Sequence, residues 1–437
     1  MARVLLISTY EQGRQPIGLA APAAYLRAKG HEVVCLDLSI DDPSSVQFKE
    51  MDLVAISVPM HTSARLGLSL AERIRRRHSS LPIAFYGLYA SLIEDYVNEN
   101  GIADAVVGGE YEVGLGVLAD NLSASNRKIL STGGAEIFPR QKYFLPDRSG
   151  LPTLDRYARF DPGDGELRLV GYVETTRGCA HRCTHCPLTS TYKGRLRIIQ
   201  QDVILRDIEQ LVSMGAQHIT FGDPDFFNAI PHSIAIVQEF HRRYPKHTFD
   251  ATIKVQHILE HVDVLSTFQD SGLAFVTSAF ESLNDELLVI LEKEHSRRDL
   301  SQVIEIANRI NLPIRPTWLP FTPWTSRRDL IDILTFIDAN GLSSHVQPVQ
   351  YALRLLLPPG SPLISLIEES GALIGFDPGG LTYTWRHPDP EMDRLQRMIA
   401  DYASGCADIC AHENGHQAPD EQFVEIYKMV QSIQIDS

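Results

Sequence analysis

The sequence alternates twice between short apolar runs and segments with helical spacing, and this alternation constrains the fold more than any other feature. In the first block, the runs that predict strands are residues 3–9, 32–38, 53–59, 82–87 and 103–109. Short apolar runs separated by helices are typical of parallel strands that are buried on both faces. The first block therefore predicts an α/β domain with a doubly wound parallel sheet over residues 1–125.

A second alternation begins after residues 126–170, which are rich in turn formers and which we assign as a connector. Its candidate strands are residues 172–177, 218–222, 249–255, 274–280, 313–320 and 345–351. Six strand–helix units predict a partial (β/α)6 barrel over residues 171–356, with its chemistry at the carboxyl ends of the strands. Residues 357–437 are less regular and form a predicted C-terminal extension.

The composition narrows the class of function. Asp and Glu (55) outnumber Lys and Arg (40), and the net charge of -15 opposes broad attachment to nucleic acid or anionic lipid. The chain has no apolar stretch long enough to span a bilayer. Its first residues, MARVLLISTY, have no extended basic region and no small-residue cleavage site, so we expect a cytoplasmic protein that acts on a small molecule. Six cysteines are too few for a disulfide framework, so their clustering indicates metal or redox chemistry.

Three of the cysteines lie close together, directly after the first candidate strand of the barrel. They are Cys179, Cys183 and Cys186. Three thiolates fit a soft metal centre such as a 4Fe-4S cluster, whose fourth iron would be open to a substrate or cofactor. The alternatives are a chance grouping and a zinc site completed by His181 or His185, although the sequence has no second CxxC pair of the kind that completes structural zinc sites.

The CxxxCxxC spacing resembles the signature of the radical S-adenosylmethionine (SAM) superfamily. This resemblance implies a 4Fe-4S cluster whose open iron chelates the amino and carboxylate groups of SAM. It also implies reductive cleavage of a carbon–sulfur bond, with a flavodoxin- or ferredoxin-type partner as the reductant. One position departs from the pattern, because the superfamily often has an aromatic residue where this chain has His185.

Four further residues lie where the superfamily places its cofactor contacts. Asp223 and Asp225 end the second barrel strand, and the resemblance implies that a carboxylate there pairs with the methionine ammonium of SAM. Lys254 ends the third strand and Glu281 follows the fourth, where related enzymes bind the ribose hydroxyls. Ordinary turn chemistry for the aspartates and a solvated rim for the other two residues are the alternatives.

The first domain is similar to the cobalamin-binding domain that precedes the barrel in one class of radical SAM enzymes. The segments that carry this similarity are residues 16–19 and 103–110. The cobalt-ligating pattern DxHxxG does not occur in this domain, whose histidines are His31, His61 and His78. Cobalamin is therefore a candidate cofactor, and a scaffold retained without its ligand is the alternative.

Longer stretches resemble the CUAEP/CCAEP-tail branch of the superfamily, which includes an arsinothricin-biosynthesis enzyme. They are ITFGDPDFFN (219–228), FDATIKVQHI (249–258), RPTWLPFTPWT (315–325), PVQYALRLLLPPGS (348–361) and TWRHPDP (384–390). This resemblance implies transfer of the 3-amino-3-carboxypropyl group of SAM to trivalent arsenic, with arsenite or another small acceptor as the substrate.

The carboxyl-terminal tail carries a second group of thiols and imidazoles. Cys406 and Cys410 are followed by His412 and His416. Because trivalent arsenic is thiophilic, the two cysteines are the predicted catalytic residues that hold it. The tail reads CADIC, whereas the branch has adjacent cysteines. A surface cysteine pair and an adventitious metal site are the alternatives.

Together these features favour a radical SAM transferase that forms a carbon–arsenic bond in natural-product biosynthesis. The alternative within the same class is a cobalamin-dependent radical SAM methyltransferase that acts on a small natural product. A different class altogether is an iron–sulfur or zinc protein with a regulatory or arsenic-sensing role.

Overall fold

The computed structural model of the protein describes residues 1–123, 141–412 and 419–432. Its first domain is a parallel sheet of five strands with helices on both faces, as predicted. The strands are β1 (Arg3–Ser8), β2 (Glu32–Asp37), β3 (Leu53–Ser57), β4 (Ile83–Tyr86) and β5 (Ala105–Val107), and the helices are α1 (Ile17–Ala28), α2 (His61–Arg77), α3 (Glu94–Glu99) and α4 (Tyr111–Ser123).

Helices cover both faces of this sheet because its strands are apolar on both sides. Leu5 and Ile7 of β1 belong to one buried apolar cluster with residues of α2, whereas Val4 and Leu6 belong to another with residues of α1 and α4. Successive side chains of a strand point to opposite faces, so both sets are buried. The strand order is β2-β1-β3-β4-β5. It reverses between β1 and β3, where doubly wound sheets bind ligands at the carboxyl ends of their strands.

The second domain is a curled sheet covered by helices. Its strands are β6 (Arg159–Phe160), β7 (Arg168–Val173), β8 (Thr176–Gly178), β9 (Leu196–Ile198), β10 (His218–Phe221), β11 (Thr248–Thr252), β12 (Leu273–Glu281) and β13 (Ile314–Trp318). Its helices are α5 (Pro187–Tyr192), α6 (Gln201–Ser213), α7 (Ile230–Arg243), α8 (Val255–Glu260), α9 (Val262–Asp270), α10 (Asp285–Ile290), α11 (Arg297–Arg309) and α12 (Arg327–Ala339). The sheet order is β13-β12-β11-β10-β7-β6, and β6 at the edge is antiparallel to β7. The predicted partial barrel is thus confirmed as a half-barrel.

The segment 345–351, predicted as the last barrel strand, does not form one. Most of it is a 3-10 helix, Pro348–Ala352, and an isolated parallel bridge between Phe321 and Arg354 continues the sheet there. Pro348 has no N–H to donate to a ladder, and its fixed φ suits the start of a helical turn. The apolar residues around it therefore pack without forming a strand.

The predicted strand 172–177 divides into two strands. β7 ends at Val173, and β8 pairs antiparallel with β9, so that Thr176 lies opposite Ile198. This ribbon brackets residues 179–195, which we call the cysteine loop. Both ends of the cysteine loop are therefore fixed by the same pair of strands.

The described part of the C-terminal extension consists of three helices and a hairpin. They are α13 (Leu363–Glu369), β14 (Leu373–Asp377), β15 (Thr382–Trp385), α14 (Pro390–His412) and α15 (Pro419–Gln431). Leu395 of α14 and Ile426 of α15 join the main apolar core of the second domain. Across the described ranges, no helix is both long and apolar enough to cross a membrane.

A buried arginine connects the two domains. Arg148 donates to both carboxylate oxygens of Asp207 on α6, at 2.8 Å each, and to Oε1 of Gln15, just before α1, at 2.8 Å. Arg148 and Asp207 are almost fully buried. The domains therefore share an internal polar contact in addition to the chain that links them.

Candidate functional site

The cysteine loop is docked on the rest of the second domain by its own backbone. The carbonyl of Cys183 accepts from the N–H of Cys186 at 3.1 Å and from the hydroxyl of Thr189 at 2.8 Å. The N–H of Thr184 donates to the carbonyl of Leu291, just after α10, at 3.1 Å. All three cysteines are half-buried. The loop therefore presents its thiols from a fixed position at the carboxyl ends of the barrel strands.

The donor set fits an iron–sulfur cluster better than a zinc ion. The thiols of Cys179, Cys183 and Cys186 are free of disulfides, and the two imidazoles of the loop contact carboxylates, His181 at Asp225 and Glu294 and His185 at Glu281. A zinc ion binds each thiolate at about 2.3 Å and draws them close together, whereas a 4Fe-4S cluster binds each thiolate to a different iron. Burial raises the pKa of Cys179 and raises that of Cys186 to about 12, so a bound metal centre is what would keep them ionised.

Asp223, the first predicted cofactor contact, accepts hydrogen bonds from two threonines, one just before β8 and one at its start. Its carboxylate accepts from the N–H of Thr175 at 3.1 Å, from the hydroxyl of Thr175 at 2.7 Å and from that of Thr176 at 2.5 Å. Burial raises the pKa of Asp223 to about 6, although these hydrogen bonds lower it. A cofactor contact for Asp223 stays a prediction.

Asp225 lies among imidazoles beside the cysteine loop. Its Oδ1 accepts from the N–H groups of Phe227 at 3.2 Å and Lys254 at 3.3 Å. Its Oδ2 lies 2.7 Å from Nδ1 of His257 and 3.2 Å from Nε2 of His181. Burial opposes ionisation, but the two imidazoles hold the pKa of Asp225 well below its usual range. This carboxylate is therefore charged at neutral pH.

Lys254 belongs to the same group of side chains. Its ammonium contacts the carboxylate of Glu294 and lies 3.0 Å from Nδ1 of His181. The same nitrogen of His181 lies 3.2 Å from Glu294 Oε2. Two predicted site residues, Asp225 and Lys254, are thus brought together next to the first cysteine of the loop.

Glu281, the fourth predicted contact, faces the cysteine loop from the end of β12. Its Oε1 lies 3.3 Å from Nε2 of His185 and 3.4 Å from the ammonium of Lys293. Burial opposes ionisation, but Lys293 and His185 lower the pKa of Glu281 to about 2. The residue has a φ of 64° at a bulge of the strand, a strained conformation of the kind that clusters at functional sites.

The carboxyl edge of the first sheet faces the cysteine loop. The carbonyl of Leu88, after β4, accepts from the hydroxyl of Thr191 in the loop at 3.4 Å. The next residue, Tyr89, lies near Cys186, and its pKa is raised by burial and then by that thiol's negative charge. A ligand held at this edge would therefore be a neighbour of a ligand held by the loop.

A buried ion-pair network holds the start of the loop against the same edge. Arg177, two residues before the first cysteine, donates to Glu112 at 2.7 Å and to Glu174 at 2.9 Å. Its guanidinium also lies 3.4 Å from Glu110, which follows β5. The first domain thereby fixes the chain that enters the cysteine loop.

The three histidines of the first domain already have partners. His31 accepts from a backbone N–H through Nδ1 and contacts Asp120 through Nε2. Nε2 of His61, at the carboxyl edge, contacts the carbonyl of Gly380. His78 follows α2 at the opposite, amino edge of the sheet, where it stacks on Phe48 with ring centroids 5.7 Å apart. The domain thus fits a corrinoid that is bound without a histidine ligand.

The tail cysteines lie on α14. Cys406 is buried and contacts the hydroxyl of Tyr402. Cys410 is one turn further along the same helix, but its side chain and the whole of His416 lie outside the described residues. Among the contacts described, Cys406 does not touch the cysteine loop. Their catalytic role stays a prediction.

Several residues of the site escape sequence reasoning. The side chain of Asn228 donates through Nδ2 to Sγ of Cys179 at 3.5 Å and accepts through Oδ1 from the N–H of Ala180 at 3.3 Å. His257 had a usable signal, because it follows the third strand three residues after Lys254. Glu294 had none, since it comes from the chain after α10 and not from the end of a strand.

Comparison with known proteins assigns both domains. Residues 173–334 match the family model of the Radical SAM superfamily, and residues 3–116 match that of the B12 binding domain. The chain therefore contains a Radical SAM domain that is preceded by a B12-binding domain. A radical SAM domain implies a 4Fe-4S cluster and SAM, and Cys179, Cys183 and Cys186 are the residues that fit the cluster.

A curated relative and two of the similar solved structures illustrate what this chain resembles. Hopanoid C-3 methylase of Methylococcus capsulatus is 23% identical over 329 residues, which are 70% of this chain and 62% of the relative. The chain thus spans less than two thirds of that relative. The structure of the radical SAM methyltransferase TsrM from Kitasatospora setae, with tryptophan and a SAM analogue bound, has a TM-score of 0.67 and 16% identity, covering 92% of this chain and 89% of TsrM. The cobalamin-dependent radical SAM enzyme OxsB, with aqua-cobalamin and SAM bound, has a TM-score of 0.67 and 14% identity, covering 99% of this chain and 71% of OxsB. At these identities, the two structures show a shared fold.

Proposed function

We propose that the protein is a cobalamin-dependent radical SAM methyltransferase that acts on a small acceptor. The observation that supports this best is the contact of the carboxyl edge of the B12-binding domain with the cysteine loop, where the carbonyl of Leu88 accepts from the hydroxyl of Thr191. Two cofactors bound by the two domains would be neighbours there. The methylase activities named for the curated relative and for TsrM support the same type of reaction.

The residues of the chain would bind and orient, while the cofactors supply the chemistry. When bound, the cluster provides the electron that cleaves SAM and the corrinoid provides a carrier for the alkyl group. Glu281 is ionised at neutral pH because its pKa is about 2, so it can accept hydrogen bonds from ribose hydroxyls. Lys293 and His185 hold its carboxylate in place. A flavodoxin- or ferredoxin-type protein is the proposed reductant.

A second candidate is the transfer of the 3-amino-3-carboxypropyl group of SAM to trivalent arsenic. The observation that favours it is the spacing of Cys406 and Cys410, one turn apart on α14. Residues four apart on a helix lie on the same face, and two thiols on one face suit a thiophilic ion.

The by-product of SAM separates the two candidates. Anaerobically reconstituted protein is supplied with cobalamin, SAM and a reductant, with and without arsenite, and the products are identified by mass spectrometry. Methyl transfer releases S-adenosylhomocysteine, whereas transfer of the aminocarboxypropyl group releases 5′-methylthioadenosine and consumes arsenite. Failure to cleave SAM at all would reject both and favour the sensing role.

A matched set of cysteine variants tests the tail. If arsenic is the acceptor, Cys406→Ser together with Cys410→Ser abolishes the arsenical product and leaves the visible absorption of the cluster unchanged. Cys35→Ala, in β2 of the first domain, is the control for the loss of a thiol elsewhere. Unchanged arsenical turnover in the tail variant would reject the role of the two cysteines.

A further inference from the structure

Beside the cysteine loop, three ligand atoms converge without hydrogen-bond partners. Nε2 of His181, Oδ2 of Asp225 and Nδ1 of His257 all lie within 4.8 Å of one another. Each is buried, and none takes part in a hydrogen bond. Oδ2 of Asp225 lies 3.2 Å from Nε2 of His181 and 2.7 Å from Nδ1 of His257. Both distances are short enough for a hydrogen bond, but neither contact has the angles of one. We call these residues the His–His–Asp triad.

We propose that the His–His–Asp triad binds a divalent transition-metal ion, such as Zn²⁺ or Fe²⁺, separate from the metal centre of the cysteine loop. Two imidazoles and one carboxylate form a donor set that both ions use in proteins. Tetrahedral metal–ligand bonds of about 2.1 Å place neighbouring ligand atoms about 3.4 Å apart. Oδ2 of Asp225 lies 3.2 Å from Nε2 of His181 and 2.7 Å from Nδ1 of His257, so a small movement of these side chains would suit an ion. This site goes beyond the proposed function and does not depend on it.

The surrounding side chains hold the ligands in the orientation that a metal needs. Nδ1 of His181 lies 3.2 Å from Glu294 Oε2 and 3.0 Å from the ammonium of Lys254. In the tautomer that donates the Nδ1 proton to Glu294, the lone pair of Nε2 is directed at the triad, as in carboxylate–histidine–metal arrangements. Oδ1 of Asp225 is occupied by two backbone N–H groups, so Oδ2 is the oxygen left for an ion.

The charge of the group also favours a cation. Lys254 is the positive group nearest to the triad, and its ammonium contacts Glu294, so these two charges offset each other. In the metal-bound state both imidazoles are neutral, so the Asp225 carboxylate, which is almost fully buried, gives the ligand set one negative charge with which to pair a divalent ion.

The triad leaves a coordination position open. The side chains of His181 and His257 are each 15% exposed, although the three ligand atoms themselves are buried. Three protein ligands are typical of metal sites that keep a position for water or substrate. Since Oδ2 of Asp225 would face the ion, this assignment replaces the predicted contact of Asp225 with the ammonium of SAM.

Zinc binding by the holoprotein tests the proposal. Zn²⁺ is the probe because the iron of the cluster does not interfere with its measurement. Protein with a fully reconstituted cluster is equilibrated with Zn²⁺ in the absence of SAM and freed of excess metal. Bound zinc is then quantified, and its ligands are read from X-ray absorption at the zinc edge. Neither readout involves SAM or turnover, so their failure is distinct from failure of the proposed function.

We expect one zinc ion per wild-type chain, with nitrogen and oxygen ligands at about 2.0–2.2 Å and no sulfur at about 2.3 Å. His257→Ala loses this zinc, and so does the isosteric variant Asp225→Asn. His261→Ala, whose ring is 6.1 Å from that of His257 and outside the triad, keeps it. Unchanged iron and sulfide contents show that the variants are folded. Zinc that remains in both triad variants, zinc with sulfur ligands, or no bound zinc in the wild type would overturn the proposal.

Discussion

Glu11 is a carboxylic acid buried at the carboxyl end of β1 without a strong cationic partner. Its Oε1 has no hydrogen-bond partner. Burial first, and then the nearby charges of Glu174 and Asp37, raise the pKa of Glu11 from 4.5 to about 8. Between these two values the folded chain holds a proton that the unfolded chain has lost. The stability due to this proton is therefore complete below the lower pKa and is lost as the pH rises to about 8.

The variant Glu11→Gln should remove this pH dependence, because an amide does not titrate and resembles the protonated acid. We expect the free energy of unfolding of the variant, relative to the wild type, to rise by about 1.4 kcal/mol per pH unit between roughly pH 5 and 7. Urea denaturation at a series of pH values measures it. Glu72→Gln, at an exposed position of α2, is the control. A difference that is the same at every pH would show that Glu11 is not protonated in the folded chain.

At the level of single residues, sequence reasoning finds ligands that are close in the chain. Cys179, Cys183 and Cys186 are close enough in the sequence for a single loop to carry all three thiols. The loop could therefore be predicted without knowledge of the three-dimensional fold. Glu294 could not, because it reaches His181 from 113 positions away. Contacts of that kind depend on where β12 and α10 deliver the chain, and one sequence has no local pattern for them.

At the level of elements, the β8–β9 ribbon depends on a glycine. Gly178 has a φ of 77°, and a Cβ there would lie 2.3 Å from the carbonyl oxygen of Arg195 and 2.5 Å from the ring of Tyr192. The strand that leads into the cysteine loop can therefore approach the strand that leaves it only when this position has no side chain.

We expect Gly178→Ala to distort the cysteine loop and to lower the iron and sulfide that the reconstituted protein retains. Gly165→Ala is the matched control, because Gly165 has a φ of 87° but no atom within 4 Å of an added Cβ. The control carries only the conformational cost of about 1 kcal/mol and should keep its cluster. Iron and sulfide analysis measures both variants. Equal cluster contents in the two would mean that the close approach to Arg195 does not matter.

Elements were predictable where periodicity and chain chemistry agree. The five strands of the first sheet are short apolar runs and were found at nearly their observed positions. The segment 345–351 has the apolar content of a strand, but Pro348 breaks its ladder. The half-barrel thus ends in an isolated bridge at Phe321. The apolar pattern alone could not show this, because it records burial and not backbone pairing.

For the whole molecule, the positions and contacts of His31, His61 and His78 indicate that a corrinoid would be bound without a histidine ligand to cobalt. We expect the protein loaded with cobalt(II) cobalamin to give an electron paramagnetic resonance spectrum without splitting from histidine nitrogen. Labelling all histidines with ¹⁵N should then leave the spectrum unchanged. Unlabelled protein loaded in the same way is the control. A spectrum that changes on labelling would show a histidine ligand, and His61, which lies at the carboxyl edge, would be the one to replace first.

The packing of the two domains makes a prediction about how the chain unfolds. Arg148 bonds to Asp207 in the second domain and to Gln15 in the first. Its removal leaves Asp207 as a buried charge without its cationic partner, which costs about 3–5 kcal/mol. Because the same guanidinium holds both domains, we expect the wild type to unfold in one calorimetric transition and Arg148→Met to unfold in two, the first at a lower temperature.

Arg242→Met is the control for the loss of an arginine, since its ion pair with Glu239 is on the surface and such pairs contribute at most about 1 kcal/mol. Its transition should match that of the wild type. Two transitions in the wild type would mean that the domains unfold independently despite their shared contact. A single unshifted transition in Arg148→Met would mean that the Arg177 network joins the domains without Arg148. Either result would assign the docking of the B12-binding domain on the cysteine loop to contacts other than those of Arg148. Those contacts would then be the ones that keep the two predicted cofactor sites adjacent.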